Sequence, residues 1–175
     1  GPDQSPTVSP DGSKIAYLGH DDLLKSYQQA DLYVMNADGS EVTELAADFD
    51  RSFGPLAWHP NGRAVISQIE NAGVLDLVSI SMDGEVETLV TNLGGTSIGR
   101  PYGGGSFSMS DTRRPVIAYT AGSPDRPAEI AVMGRNVDDR VLTDLNSDLL
   151  DHLDMATIEE IKVPSRHDGL EIEAW

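Results

Sequence analysis

Ser9-Pro10-Asp11-Gly12-Ser13-Lys14-Ile15-Ala16-Tyr17 is the stretch that decides the fold, because the chain echoes it twice. His59-Pro60-Asn61-Gly62 leads in the same way into Ala64-Val65-Ile66-Ser67. Met109-Ser110-Asp111-Thr112 leads into Val116-Ile117-Ala118-Tyr119. Asp11, Asn61 and Asp111 stand 50 residues apart in turn. A fixed period in this range marks one supersecondary unit copied and stacked.

Each unit reads as four short strands. In the first, Pro6 to Ser9 leads into the turn, Ile15 to Leu18 and Leu32 to Met35 are compact β-prone runs, and Val42 to Leu45 alternates apolar with polar. That alternation predicts a half-exposed outer strand. The second unit follows with Pro55 to Trp58, Val65-Ile66, Leu75 to Ile80 and Val86 to Val90. The third is looser: Ser106 to Met109, Val116 to Tyr119, Ile130 to Met133 and Val141-Leu142, with Gly134-Arg135-Asn136 where an Asp-Gly pair is expected. Asp38-Gly39 and Asp83-Gly84 predict tight hairpins with both turn residues at positive φ.

Four antiparallel strands at this period predict an all-β fold, a partial β-propeller of about three four-stranded antiparallel blades. A β-sandwich is the competing reading, but it does not predict so regular a repeat. The blades are expected over residues 1–145, at approximately 4–50, 51–98 and 99–145. Residues 146–175 are expected to form a short helix over Ser147 to Met155 and a hairpin. Its strands are Ile158 to Val163 and Leu170 to Trp175, turning at His167-Asp168-Gly169. Propellers close with about four to eight blades, so the chain is expected to be part of a larger ring. Self-association through open blade edges is expected for the same reason. Gly1-Pro2 reads either as native sequence or as a scar of protease cleavage.

The net charge is −17, from 29 acidic against 12 basic residues among 175. Such a field repels phosphate backbones and argues against a nucleic-acid partner. No run approaches the ~18 apolar residues of a membrane span. The absence of cysteine excludes disulfides and thiolate zinc sites, and leaves the compartment, cytoplasmic or periplasmic, open. The four histidines form no metal-type pair. A calcium loop around Asp38-Gly39 fails, because Val34 and Leu45 would occupy its first and twelfth positions. Neither a metal nor a cofactor is expected.

Further stretches carry a resemblance. Ser9 to Tyr17, Asp31 to Ser40, Gly99 to Ser108, Pro124 to Val132, Leu142 to Asn146 and His167 to Trp175 together resemble the prolyl oligopeptidase family of serine peptidases. The likeness is strongest to its bacterial acylaminoacyl-peptidase-like and dipeptidyl-peptidase-like members. The first two stretches are shared with Tol-type propellers. The resemblance implies a propeller that caps an α/β-hydrolase domain carrying a Ser-Asp-His triad, restricts entry to short peptides and positions them. His167 to Trp175 then resembles the first hairpin of that hydrolase domain. No triad residue maps onto this chain, so no catalytic residue is expected in it. The peptide substrate would be met through the hydrolase domain of the parent protein. The alternative is a Tol-like protein-binding scaffold without enzymatic activity.

Gly95-Thr96-Ser97-Ile98-Gly99 fits G-x-S-x-G, yet a glycine loop precedes it and Arg100-Pro101-Tyr102 with three glycines follows. The nucleophile elbow needs a strand before and a helix after, so this stretch reads as a linker between blades. Arg100 and Tyr102 are the leading substrate-binding candidates. Glycine lets backbone approach a ligand, and a guanidinium can grip a carboxylate with two parallel bonds. Arg51, beside Asp50, is the third candidate. Glu159-Glu160 falls in a strand lead-in and takes no amino-terminus-binding role.

Overall fold

A strand overlaps each expected run in a computed structural model that describes residues 2–95, 104–134 and 137–175, although Leu142 and Ile158 to Glu160 lie outside the strands. Two compact units emerge. One comprises Gly1–Asn71, Asp76–Thr91 and Met109–Val116, the other Ala72–Leu75, Asn92–Ser108 and Ile117–Trp175.

The first unit holds the first two strand groups, except the start of β7 and the end of β8, which fall in the second. β1 (Gln4–Val8), β2 (Lys14–Gly19), β3 (Asp31–Asn36) and β4 (Thr43–Leu45) form a four-stranded antiparallel sheet in sequence order. β5 (Phe53–Trp58), β6 (Ala64–Asn71), β7 (Val74–Ser81) and β8 (Val86–Leu93) repeat the order. Period-two alternation decides the packing. Leu18, Leu32, Val34 and Leu45 from one sheet and Phe53, Trp58, Val65, Ile69, Val78 and Ile80 from the other bury into one apolar core. Each such side chain contributes about 1.5–3 kcal/mol by leaving water. The Trp58 indole Nε1 donates to the Thr7 carbonyl at 3.0 Å and ties the two sheets together. On the opposite face of the first sheet, Tyr17 and Tyr33 stack with centroids 5.5 Å apart.

The repeated turns work differently from the expectation. Of each turn pair only the glycine takes positive φ, at Gly12 (73°), Gly39 (86°), Gly62 (70°) and Gly84 (84°), while Asp38 and Asp83 do not; Glu41 (53°) joins Gly39 further along its connection. The acidic or amide residue serves as an acceptor instead. Asp11 Oδ1 accepts from Ser9 Oγ, Ser13 N and Ser13 Oγ at 2.7, 3.0 and 2.8 Å. Asp38 Oδ1 accepts from Ser40 N, and Asn61 Oδ1 from Arg63 N, each at 2.9 Å. These side chains close the turn by mimicking backbone carbonyls.

The third turn departs from the 50-residue count. Ser9 and His59 close onto Lys14 and Ala64, whereas Ser110 closes onto Val116. One extra residue is inserted there. Ser110 also stands 51 residues after His59 (110 − 59), so Thr112, not Asp111, holds the place of Asp11, and its Oγ1 donates to the Arg114 carbonyl at 3.0 Å.

In the third group, β9 (Phe107–Met109), β10 (Val116–Ser123), β11 (Arg126–Gly134) and β12 (Val137–Val141) lie side by side and antiparallel. The end of β8 joins them through one pair, Leu93 with Ala121. A Cβ at Gly122 would sit 2.9 Å from the Gly94 Cα, so only glycine permits that approach. The expected turn residues Arg135 and Asn136 lie outside the described residues.

Beyond β12, the helix α1 covers only Ser147–Leu150, shorter than the leucine spacing predicts. Its first residue lacks a side-chain cap, and Leu149 and Leu153 stay exposed. Asp151 and Asp154 also oppose the macrodipole at its C-terminal end. A hairpin of β13 (Ile161–Pro164) and β14 (Glu171–Ala174) follows, turning with Gly169 at φ 76°. Lys162 bridges Glu171 at 3.0 Å and Glu173 at 3.6 Å on one face, while Ile161, Val163 and Ile172 lie on the other.

Candidate functional site

Arg51 sits on the segment that leaves β4 and enters β5, and that segment is laced to the β2–β3 loop. Gln29 Nε2 donates to the Phe49 carbonyl at 2.9 Å and to Asp31 Oδ1 at 3.1 Å. Ser52 Oγ accepts from the Ala30 amide at 3.1 Å and lies 3.2 Å from the Tyr27 hydroxyl. Phe49 packs on the core and stacks on Phe53 at 5.5 Å. The backbone under Arg51 is therefore fixed from both sides. Its guanidinium Nη1 donates to the Asp50 carbonyl at 2.5 Å and lies 4.0 Å from the Asp50 carboxylate. The side chain is 47% exposed, so part of its five-donor fork faces water.

The adjacent loop is also ordered. Gln28 Oε1 accepts from the amides of Leu23 and Lys25, and its Nε2 donates to the Asp21 carbonyl. Asp22 accepts the amide of Leu24, which takes φ 56° and stands 90% exposed. Leu23 and Tyr27 are likewise exposed. Sequence reading passed over this loop because its residues show neither strand nor helix periodicity. The Asp22-Leu23-Leu24 run, an Asx turn followed by apolar residues, is the signal that could have found it.

Of the three candidates, the structure describes Arg51; Arg100 and Tyr102 lie outside the described residues, as do Thr96 to Gly99 of the G-x-S-x-G stretch. The histidines serve turns where they bond: His59 Nδ1 accepts the Asn61 amide at 3.2 Å, and the His167 amide donates to Ser165 Oγ. Among the described residues, no three His, Asp or Glu side chains gather as a metal site, and no helix is long and apolar enough to cross a membrane.

Two carboxylates escaped the sequence reading. Glu129 on β11 accepts from Thr143 Oγ1, from the Leu145 amide at 2.8 Å and from Asn146 Nδ2 at 3.2 Å. These bonds hold its pKa below the ordinary carboxylate value, and they explain the Leu142 to Asn146 stretch as the ligand set of one anchor. Arg126 pairs with Asp151 at 2.5 Å just beyond. Asp76 on β7 is buried; its Oδ2 accepts from Asn71 Nδ2 at 3.0 Å, while Oδ1 has no partner among the described residues. Around Arg51 the described residues thus place a half-exposed guanidinium, bonded to Asp50, on a segment laced to the loop that carries Leu23, Leu24 and Tyr27.

The fold defines the class: these antiparallel four-stranded units are those of a β-propeller. The archaeal β-propeller domain of the Trilobed protease from Pyrococcus furiosus aligns with a TM-score of 0.54 at 19% identity, over 82% of this chain and 38% of that one. The acylaminoacyl peptidase of Pyrococcus horikoshii aligns with a TM-score of 0.59 at 22% identity, over 93% of this chain and 23% of that one. In sequence, a probable dipeptidyl-peptidase 5 of Aspergillus flavus is 38% identical over 80 residues, 45% of this chain and 11% of the fungal protein. No family model matches the chain. Within that class, the chain is similar to a propeller part of such peptidases, in line with the resemblance to the prolyl oligopeptidase family, and it spans about a tenth of the length of the curated relatives it matches.

Proposed function

We propose that this chain is the non-catalytic, substrate-gating part of a serine peptidase that hydrolyses short peptides, of the aminopeptidase or oligopeptidase type. A hydrolase part of the same protein would perform the cleavage. The observation that carries this reading is the coincidence of a propeller fold with 38% identity to a dipeptidyl-peptidase over 80 residues. The position of Arg51 supports a positioning role. A half-exposed guanidinium on a braced segment can take a peptide carboxylate in a charge-assisted bond. The neighbouring Leu23, Leu24 and Tyr27 offer apolar contact to the side chains of the same peptide. Arg100 and Tyr102 belong to the proposal as further contacts.

The test compares a tripeptide with a free carboxylate against its amide, titrated into the chain and followed by backbone amide shifts. The free acid should perturb residues 49–53 and bind about ten-fold more weakly to Arg51→Gln, as loss of a charge-assisted bond implies. The amide should bind both proteins alike. Equal binding of the acid to both proteins would remove Arg51 from the proposal. The scaffold alternative predicts no dependence on a terminal carboxylate.

A further inference from the structure

A groove of about 510 Å³ lies in the first unit, between β4 with its following segment and the β7–β8 turn. Leu45, Phe49, Met82 and Val86 provide its apolar lining. One wall is β4, which pairs with β3 alone among the described strands, so its outer backbone edge is open. Ala46, at φ 55°, turns the chain at the end of that strand and accepts the Phe49 amide at 2.8 Å. A Cβ at Gly84 would lie 3.1 Å from the Ala46 nitrogen, and this close approach brings the Asp83 turn over the end of β4.

The charge of the groove has one sign. Glu44, Asp48 and Asp83 line it, and no basic residue does among the described residues. Glu44 turns toward Tyr33 on the other face of the sheet. Asp48 and Asp83 are exposed, and neither carboxylate has a hydrogen bond or ion pair with a described residue, the Asp83 amide alone donating to Ser81 Oγ at 3.2 Å. An open strand edge, an apolar floor and two unpaired carboxylates thus converge on one channel.

We propose that this groove receives an extended segment of a partner protein in which apolar side chains alternate with lysine or arginine. A strand added along β4 would satisfy its free backbone groups. Side chains alternate every second residue along such a strand, so one set fills the floor while the other faces the rim acids. A second copy of this chain fits poorly, because it brings the same net charge of −17. This surface shares Phe49 with the segment under Arg51 but not the Arg51 guanidinium, and it does not depend on the peptidase reading.

The probe is a fluorescein-labelled hexapeptide alternating leucine and lysine, with a leucine–glutamate peptide as its control. The lysine peptide should bind saturably, shift resonances within residues 43–49 and 82–86, and bind about five-fold more weakly to Asp48→Asn/Asp83→Asn. Both positions are exposed, so circular dichroism should show the fold unchanged. Asp138→Asn/Asp154→Asn removes equal charge elsewhere and should leave binding intact. Equal weakening in the two double variants would mean unspecific attraction and overturn the proposal. Shifts outside the groove, or binding of the glutamate peptide, would also overturn it. So would a dimer of the chain alone whose interface maps to these residues.

Discussion

Replacing Trp58 by phenylalanine probes the packing of the first two sheets directly. The indole is buried in their shared core, and its Nε1 donates to the Thr7 carbonyl at 3.0 Å, 51 residues away in the chain. Phenylalanine keeps an aromatic ring but removes that donor, at about 1 kcal/mol for a net hydrogen bond. The smaller ring leaves space that the core fills only in part, adding about 1 kcal/mol. The expected loss is therefore about 2 kcal/mol, which lowers the melting temperature by about 4–8 °C in a chain of this size. Urea denaturation followed by far-ultraviolet circular dichroism measures it, with the midpoint reduced by about 1 M and the slope unchanged. A loss below about 0.5 kcal/mol, the scale of a neutral surface change, would refute the tie between the sheets.

Two further outcomes rest on the carboxylates that organise turns. The Asp11 carboxyl should titrate near 2, against 3.8 for the free side chain, because the Ser13 amide and the Ser9 and Ser13 hydroxyls bond its charged form. A folded pKa below the unfolded one gives stability that is complete above about pH 4 and lost as pH falls toward 2; an NMR titration midpoint near 4 would contradict it. Glu129→Ala should speed hydrogen exchange at the Leu145 amide, which loses its acceptor, while amides in β2 and β3 stay protected. Unchanged exchange at Leu145 would contradict the anchoring role.

Local chemistry made the strands readable. Runs such as Ile15 to Leu18 and Leu75 to Ile80 are β-prone, and their glycine turns stop them at definite places. The repeat then supplied the sheet order, since each unit had to bury the same faces. The roles inside the turns were harder to see, because Asp11 can tolerate positive φ or accept hydrogen bonds, and only geometry distinguishes the two. The third unit misled for a related reason: Asp111 keeps the 50-residue count, but the inserted residue moves the structural role to Thr112. The helix after β12 was overextended because leucine spacing states a preference and says nothing of a surface to bury it. The groove was invisible in sequence, since Ala46 and Gly84 are distant in the chain and meet only once it has folded. Arg51 was legible as a loop arginine next to an acid; the brace of Gln29, Ser52 and Tyr27 that fixes its backbone was not.

The most direct measurement is the hydrolysis of chromogenic dipeptide and acyl-amino-acid substrates by this 175-residue chain. We predict no turnover above buffer, for wild type and Ser97→Ala alike, as the proposed non-catalytic role requires. Turnover by the chain that Ser97→Ala abolishes would contradict this.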